Sequence, residues 1–239
     1  MKRVAALLFD LDGTLLDSSA GNRDAVRATC RDVAAAYPDL DADRLLEANG
    51  EVWARYWPEV EQRWMLGELD GAAVSREAWR RTLSACGCDD PDVTVAACEA
   101  HSHGLRVSLR LYAEVPDLLS SVSRRYALAL VTNGASDTQR ESLRRLGIEQ
   151  TFASLSISGE VGVAKPDPAI FEAALRNLHV EPEQAWHIGD DPVTDVGGAH
   201  AAGLTAVWLN RRGSIWNDGQ PPPEHTISSL AELRKLLPA

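Results

Sequence analysis

Val4–Phe9 is a run of six apolar residues that ends at Asp10, and the same unit recurs along the chain. Ala127–Thr132, Leu155–Ser158, Ala185–Gly189 and Thr205–Leu209 are similarly short and largely apolar. Such runs read as strands buried on both faces, and strands covered on both faces pair in parallel. Parallel pairing requires crossover connections, and helical patterns separate most of the runs. Ser136–Leu146 is charged and periodic and is stopped by Gly147. Pro168–Leu178 begins with proline at a helix start and repeats Ile170, Phe171, Ala174 and Leu175 at helical spacing. Ser228–Leu237 reads as a short amphipathic closing helix. The alternation predicts an α/β protein with its site beyond the carboxyl ends of the strands.

From Asp17 to Leu111 the alternation fails. Only helix-like segments occur there, roughly Ser19–Tyr37, Ala42–Leu66, Ala72–Cys86 and Pro91–Leu105. Connections between strand and helix usually run about 2–6 residues, so a stretch this long is an inserted domain. The expected architecture is a Rossmann-like, doubly wound parallel core (1–16 and 112–239) carrying an α-helical cap (17–111). Gln220–Pro223 reads as an extended surface segment.

The bulk numbers exclude several partners. Of 239 residues, 45% are hydrophobic and 25% charged, enough for a packed core. Lys plus Arg number 24 against 35 Asp plus Glu, a net charge of -11. That balance disfavours nucleic acid and anionic membranes. No apolar run reaches the roughly 18 residues of a membrane span. The apolar stretch after Met1-Lys2-Arg3 is too short for a secretory leader. Four cysteines are too few for a disulfide framework, so a cytoplasmic location is expected. The oligomeric state is left open.

Strand one ends Phe9-Asp10-Leu11-Asp12-Gly13-Thr14-Leu15. Two carboxylates two residues apart at a sheet mouth are hard to bury as charges without a cation. One reading is a nucleophilic carboxylate beside a second carboxyl working as acid and base. The other is an ordinary strand-ending turn, where Asp and Gly are favoured in any case.

Asp-Leu-Asp-Gly-Thr-Leu resembles the first motif of the haloacid dehalogenase superfamily, and the later family motifs follow in order. Val131-Thr132-Asn133-Gly134 resembles the second, Lys165-Pro166 the third, and Ile188-Gly189-Asp190-Asp191 with Asp195 the fourth. The resemblance implies a Mg²⁺-dependent phosphatase of a small phosphorylated metabolite. By that resemblance, Asp10 attacks phosphorus to form an aspartyl-phosphate, while Asp12 protonates the leaving oxygen and then activates water. Thr132, the Asn133 region and Lys165 hold the phosphoryl group. The metal is held by the side chains of Asp10 and Asp190 and the backbone carbonyl of Asp12. Asp195 stands behind the metal and Asp191 faces solvent. Oxygen-only ligands suit Mg²⁺ rather than zinc.

Three rivals share these residues in part. A phosphoglucomutase-like phosphotransferase keeps the whole set and differs only in the acceptor. A haloacid dehalogenase shares Asp10, but this sequence departs from the dehalogenase pattern at Asp12 and at the fourth motif. A non-catalytic binding domain would have no need of the intact acidic set. Elsewhere, Cys86, Cys88, Cys98, His101 and His103 have zinc-like types but irregular spacing, and buried small hydrophobes are the commoner role for cysteine. Trp53, Trp57, Trp64 and Trp79, with Tyr56, Arg55 and Arg63, read as cap core. The alternative is that an aromatic and an arginine grip the leaving group.

Overall fold

The structure is a computed structural model describing residues 3–216 and 219–238; Met1 and Lys2, on which the leader expectation partly rests, lie outside the described residues. Six parallel strands form one sheet: β1 (Ala6–Phe9), β2 (Ala127–Thr132), β3 (Ser154–Ile157), β4 (Ala185–Gly189), β5 (Thr205–Leu209) and β6 (His225–Ile227). Their order is β3-β2-β1-β4-β5-β6. Register brings Phe9 opposite Leu130 on one side and Ile188 on the other, so β2 runs two residues and β4 one residue past the end of β1.

Period-two alternation gives the sheet two buried faces. Leu7, Phe9, Leu128, Leu130, Ile188 and Val207 face one core, closed by helices α5 (Val115–Val122) and α6 (Ser136–Arg145). Ala6, Leu8, Ala129, Val131 and Ala206 face the other. There the smaller residues admit α8 (Pro168–Leu178), which inserts Ile170, Phe171, Ala174 and Leu175. Two short turns, α7 (Ser158–Val161) and α9 (Gly198–Ala201), and a final turn, α10 (Leu233–Leu236), complete the layers.

Between β1 and α5 lie the four helices of the insert: α1 (Ser18–Ala36), α2 (Ala42–Met65), α3 (Gly71–Ala85) and α4 (Pro91–Ser108). Each starts at an aspartate whose side chain accepts a first-turn N–H: Asp17 from Ala20, Asp41 from Arg44, Asp70 from Ala73 and Asp90 from Asp92. Such caps typically contribute about 1 kcal/mol each and fix where the helices begin. The insert has its own apolar cluster, including Val26, Val33, Leu45, Trp79, Leu83 and Val93. Helix α1 lies close on α4 because Gly104 has no Cβ; one placed there would meet the Ala25 Cα at 3.1 Å.

Strand three begins one residue earlier than expected and yields Ser158 to α7. Two elements escaped the sequence pattern. Strand β6 is only three residues long, with His and Thr in place of an apolar run. Helix α5 follows directly on the insert, where no strand marks its start. The closing helix is instead two short turns, because Ser229 and Glu232 form a capping box that restarts the chain. No helix among the described residues is long and apolar enough to cross a membrane.

His101 of α4 is buried against Trp79, ring centroids 5.6 Å apart. Burial pushes its pKa down to about 4. An unfolded histidine titrates near 6.5, so between those values the unfolded chain binds the extra proton. The His101 contribution is therefore complete above about pH 6.5 and is lost as pH falls toward 4, by up to roughly 3 kcal/mol. Urea unfolding at several pH values should show wild type losing stability on acidification more steeply than His101→Leu. Parallel curves would refute a buried neutral histidine.

Candidate active site

The winding of the sheet reverses between β1 and β4, and in open parallel sheets a crevice forms at the carboxyl ends there. Asp10 and Asp12 follow β1, Thr132 ends β2, Asn133 follows it, and Asp190 follows β4. Lys165 enters from the loop before α8. Together with Asp191, Thr194 and Asp195 these residues line a niche of about 120 Å³. The motif positions Asp10, Asp12, Thr132, Asn133, Lys165, Asp190 and Asp195 thus meet in one place.

Lys165 is the centre of the niche. Its side chain is only 3% exposed, and Nζ donates at 2.6 Å to Asp10 Oδ1 and at 2.6 Å to Asp195 Oδ1. Burial alone would lower the lysine pKa, but the two carboxylates hold it well above the ordinary value. Burial would likewise raise Asp195, yet Lys165 and the hydrogen bond from His187 (Nε2 to Oδ1, 2.9 Å) hold it well below the usual range. Asp10 is driven the other way: burial raises it, the negative charges of Asp195 and Asp12 add to the rise, and Lys165 offsets them only in part. Asp190 is pushed up to about 6, first by burial and then by Asp195.

Carboxylate oxygens of Asp10, Asp190 and Asp195 lie within 4.8 Å of one another. One lysine does not balance three such groups. An all-oxygen set with surplus negative charge fits a hard divalent cation. Asp195 is the least available of the three, since Oδ1 meets Lys165 and His187 while Oδ2 accepts from the Asp191 N–H at 3.0 Å.

Several contacts fix these groups. Asn133 clasps the Lys165 backbone at both ends, Oδ1 accepting from its N–H at 2.8 Å and Nδ2 donating to its carbonyl at 3.0 Å. The Asn133 side chain is thereby held in place against the Lys165 backbone. Gln139 Nε2 donates to Asp12 Oδ2 at 3.0 Å and to the Asn133 carbonyl at 2.9 Å. The Trp208 indole donates to the Asp190 carbonyl at 2.9 Å. Gly13 has φ +83°, and a Cβ there would meet the Asp190 carboxylate at 2.5 Å, so the close approach of the two acidic loops needs glycine. Asp191 is exposed and caps the π-helical turn Pro192–Gly197, accepting from the N–H groups of Val193 and Thr194. That wide turn carries Asp195 back beneath Gly189.

A second, larger cavity of about 880 Å³ lies between the insert and the core and shares Asp12 with the niche. Trp53, Trp57 and Trp64 are half-buried along it, with successive ring centroids 5.8 and 5.3 Å apart. They pack on Tyr56, Val60 and Val74 and also face the cavity, whereas Trp79 is wholly core. The arginines singled out from the sequence point elsewhere. Arg55 pairs with Glu51 and Arg63 with Glu68, both exposed, because each has a glutamate within one or two turns. The arginines on the cavity wall are Arg76, Arg106, Arg144 and Arg145. The cysteines are free, and Cys86, Cys88 and Cys98 pack against the insert's apolar cluster, the hydrophobic role.

Gln139 and His187 were missed from the sequence. His187 carried a signal, being the polar residue in the apolar run Ala185–Gly189. Gln139 carried none, since nothing in a charged helix distinguishes one glutamine.

Residues 4–203 match the family model for haloacid dehalogenase-like hydrolases. A phosphoserine phosphatase of Thermus thermophilus is 44% identical over 124 residues, which is 52% of this chain and 49% of that protein, so the chain spans about half its length. A glyceraldehyde 3-phosphate phosphatase of Methanopyrus kandleri is 34% identical over 87% of this chain and 84% of its own. Among solved structures, a 2-haloacid dehalogenase of Pseudomonas syringae is 29% identical with a TM-score of 0.70, covering 98% and 97% of the two chains. The HAD-hydrolase YfnB of Bacillus subtilis, whose magnesium-bound form reveals interdomain movement, is 27% identical with a TM-score of 0.74 over 100% of both.

Replacing Lys165 by Met would leave Asp10 and Asp195 buried without their shared cation. The expected loss of stability in urea denaturation at pH 7 is about 3–5 kcal/mol. A loss under about 1 kcal/mol would show that the lysine does not hold these carboxylates.

Proposed function

The chain belongs to the haloacid dehalogenase-like hydrolase family and is an enzyme, and on that footing we propose a Mg²⁺-dependent phosphatase of small phosphorylated metabolites acting through an aspartyl-phosphate. The observation that carries this reading is the buried Asp10–Lys165–Asp195 array with Asp190 beside it and Asp12 at the mouth.

In this reading Asp10 is the nucleophile. Lys165 fixes its Oδ1 and turns the free oxygen toward phosphorus. The phosphoryl oxygens meet Lys165, the Thr132 hydroxyl and the Asn133 backbone, so that positive charge and hydrogen-bond donors surround the transferred group. Asp12, with Oδ2 tied to Gln139, presents Oδ1 to protonate the leaving oxygen. The deprotonated Asp12 then takes a proton from the water that attacks the aspartyl-phosphate, releasing phosphate and restoring Asp10. Asp10, Asp190 and the Asp12 backbone carbonyl would hold Mg²⁺, with Asp195 holding Lys165 rather than the metal. When bound, the ion supplies positive charge that offsets repulsion between the carboxylates and the phosphoryl oxygens. The same reading places the enzyme in a reducing cytoplasm, in keeping with four free cysteines.

The dehalogenase reading has a relative in its favour. Against it stand Asp12, held toward the cleft by Gln139, and a carboxylate cluster with more negative charge than one lysine balances. Transfer to a second substrate instead of water is separated by product analysis.

Asp10→Asn should fold yet retain less than about 1% of wild-type phosphatase rate. Activity in the wild type should vanish on chelation and return with Mg²⁺. Full phosphatase turnover in excess chelator, with metal content verified as nil, would remove Mg²⁺ from the mechanism, whereas release of halide from a 2-haloacid without metal would favour the dehalogenase instead. Gln139→Leu should lower kcat by roughly 10–100-fold on an alkyl phosphate. It should cost much less on 4-nitrophenyl phosphate, whose leaving group needs no proton. Equal losses on the two esters, with the first step limiting, would remove Gln139 from the positioning of Asp12.

A further inference from the structure

The niche that holds the phosphoryl chemistry measures about 120 Å³, room for a phosphate and little else. The leaving group must therefore lie in the adjoining cavity of about 880 Å³, which meets the niche at Asp12. That volume is near the upper end of small-molecule sites and far exceeds a three-carbon fragment. One wall is the stripe of Trp53, Trp57 and Trp64 on α2, half-buried with ring surface left to the cavity. Trp64 reaches the loop that follows β2, since a Cβ on Gly134 would lie 2.7 Å from its ring. The rings are inclined 55° and 62° to one another, so each offers its own face or edge, and a ring can lie against one of them, whether aromatic or sugar.

The charges on the cavity wall sort into occupied and free. Glu141 answers both Arg144 (3.5 Å) and Arg145 (3.6 Å). Asp137 is turned to the Gly71 N–H, with both oxygens within 3.1 Å. Among the described residues Arg106 donates to the Ser102 hydroxyl at 3.0 Å and to no carboxylate, and Arg76 has no carboxylate partner; both are exposed at the cavity's edge. Both lie on the insert, away from Lys165, on a molecule of net charge -11. Two unanswered guanidinium groups in a cleft concentrate positive potential against the background of the whole protein. They are suited to a carboxylate or a second phosphate.

Resting on the phosphatase reading above, we propose that the substrates are phosphomonoesters with a bulky ring-bearing leaving group that carries a second negative charge. The ring lies against Trp53, Trp57 and Trp64, and the charge meets Arg76 and Arg106. Small acyclic phosphates fill neither feature.

The test measures kcat/KM with Mg²⁺ for glycerol 3-phosphate, phenyl phosphate, 4-carboxyphenyl phosphate and 3-carboxyphenyl phosphate. In the wild type at low salt, the better carboxyphenyl ester should exceed phenyl phosphate by roughly 5–30-fold, and phenyl phosphate should exceed glycerol 3-phosphate. The carboxylate preference should shrink as salt is raised. It should fall to near one in the double variant Arg76→Gln, Arg106→Gln. Hydrolysis of all four esters without these preferences, or a carboxylate preference that survives the double variant, would overturn the proposal and leave the phosphatase reading intact. Failure to hydrolyse any of the four would overturn the phosphatase reading itself.

Discussion

A single ammonium group held between two buried carboxylates organises this protein. Lys165 touches Asp10 from strand one and Asp195 from the turn after strand four, so it ties the two halves of the sheet across their switch point. Two buried charges of one sign are costly together, and the lysine offsets that cost only partly. Asp195 takes the larger share of its stabilisation, being hydrogen-bonded also by His187 and the Asp191 N–H. Asp10 and Asp190 are left with raised pKa values. The imbalance of charge is in keeping with the proposed binding of a cation and a phosphoryl group.

The machinery around that interaction divides by scale. The proposed chemistry lies at loop ends of the sheet, where hydrogen bonds to Asn133, Gln139 and Trp208 fix Lys165, Asp12 and Asp190. The larger cavity takes two of its walls from α2–α4, whose helices have their own capping aspartates and apolar clusters. The segment joining α2 to α3 rests on the core near the niche. Ser158 donates to the Met65 carbonyl at 2.5 Å and accepts from the Gly134 N–H at 2.8 Å, while Asp137 receives the Gly71 N–H. Through Ser158 the insert is thus linked to the loop after β2, and in the proposed reading its position governs what reaches Asp12.

Much of this was legible in the sequence because buried parallel strands are short, apolar and closed by acidic or glycine-bearing turns. Asp10, Thr132 and Asp190 each stand at such an end, Lys165 stands with Pro166 just before a proline-started helix, and the motifs order them. Asp195 was legible only as a partner of Asp190; its role in holding Lys165 arises from a π-helical turn that no local pattern announces. Gln139 and the cavity arginines were illegible for a different reason. They sit on charged helix faces, where the sequence does not say which side meets the core. Arg63 illustrates the converse, an arginine attractive by its neighbours that pairs instead with Glu68 at the surface.

The most direct measurement of the central claim is a rapid quench of turnover on phenyl phosphate with Mg²⁺, followed by digestion and mass spectrometry of the peptide carrying Asp10. An enzyme working as described would show one phosphoryl group on Asp10 before steady state, decaying as substrate is consumed and absent from Asp10→Asn. Turnover at full rate with Asp10 never modified, or with the phosphoryl group on another residue, would contradict the assignment of Asp10 as the nucleophile.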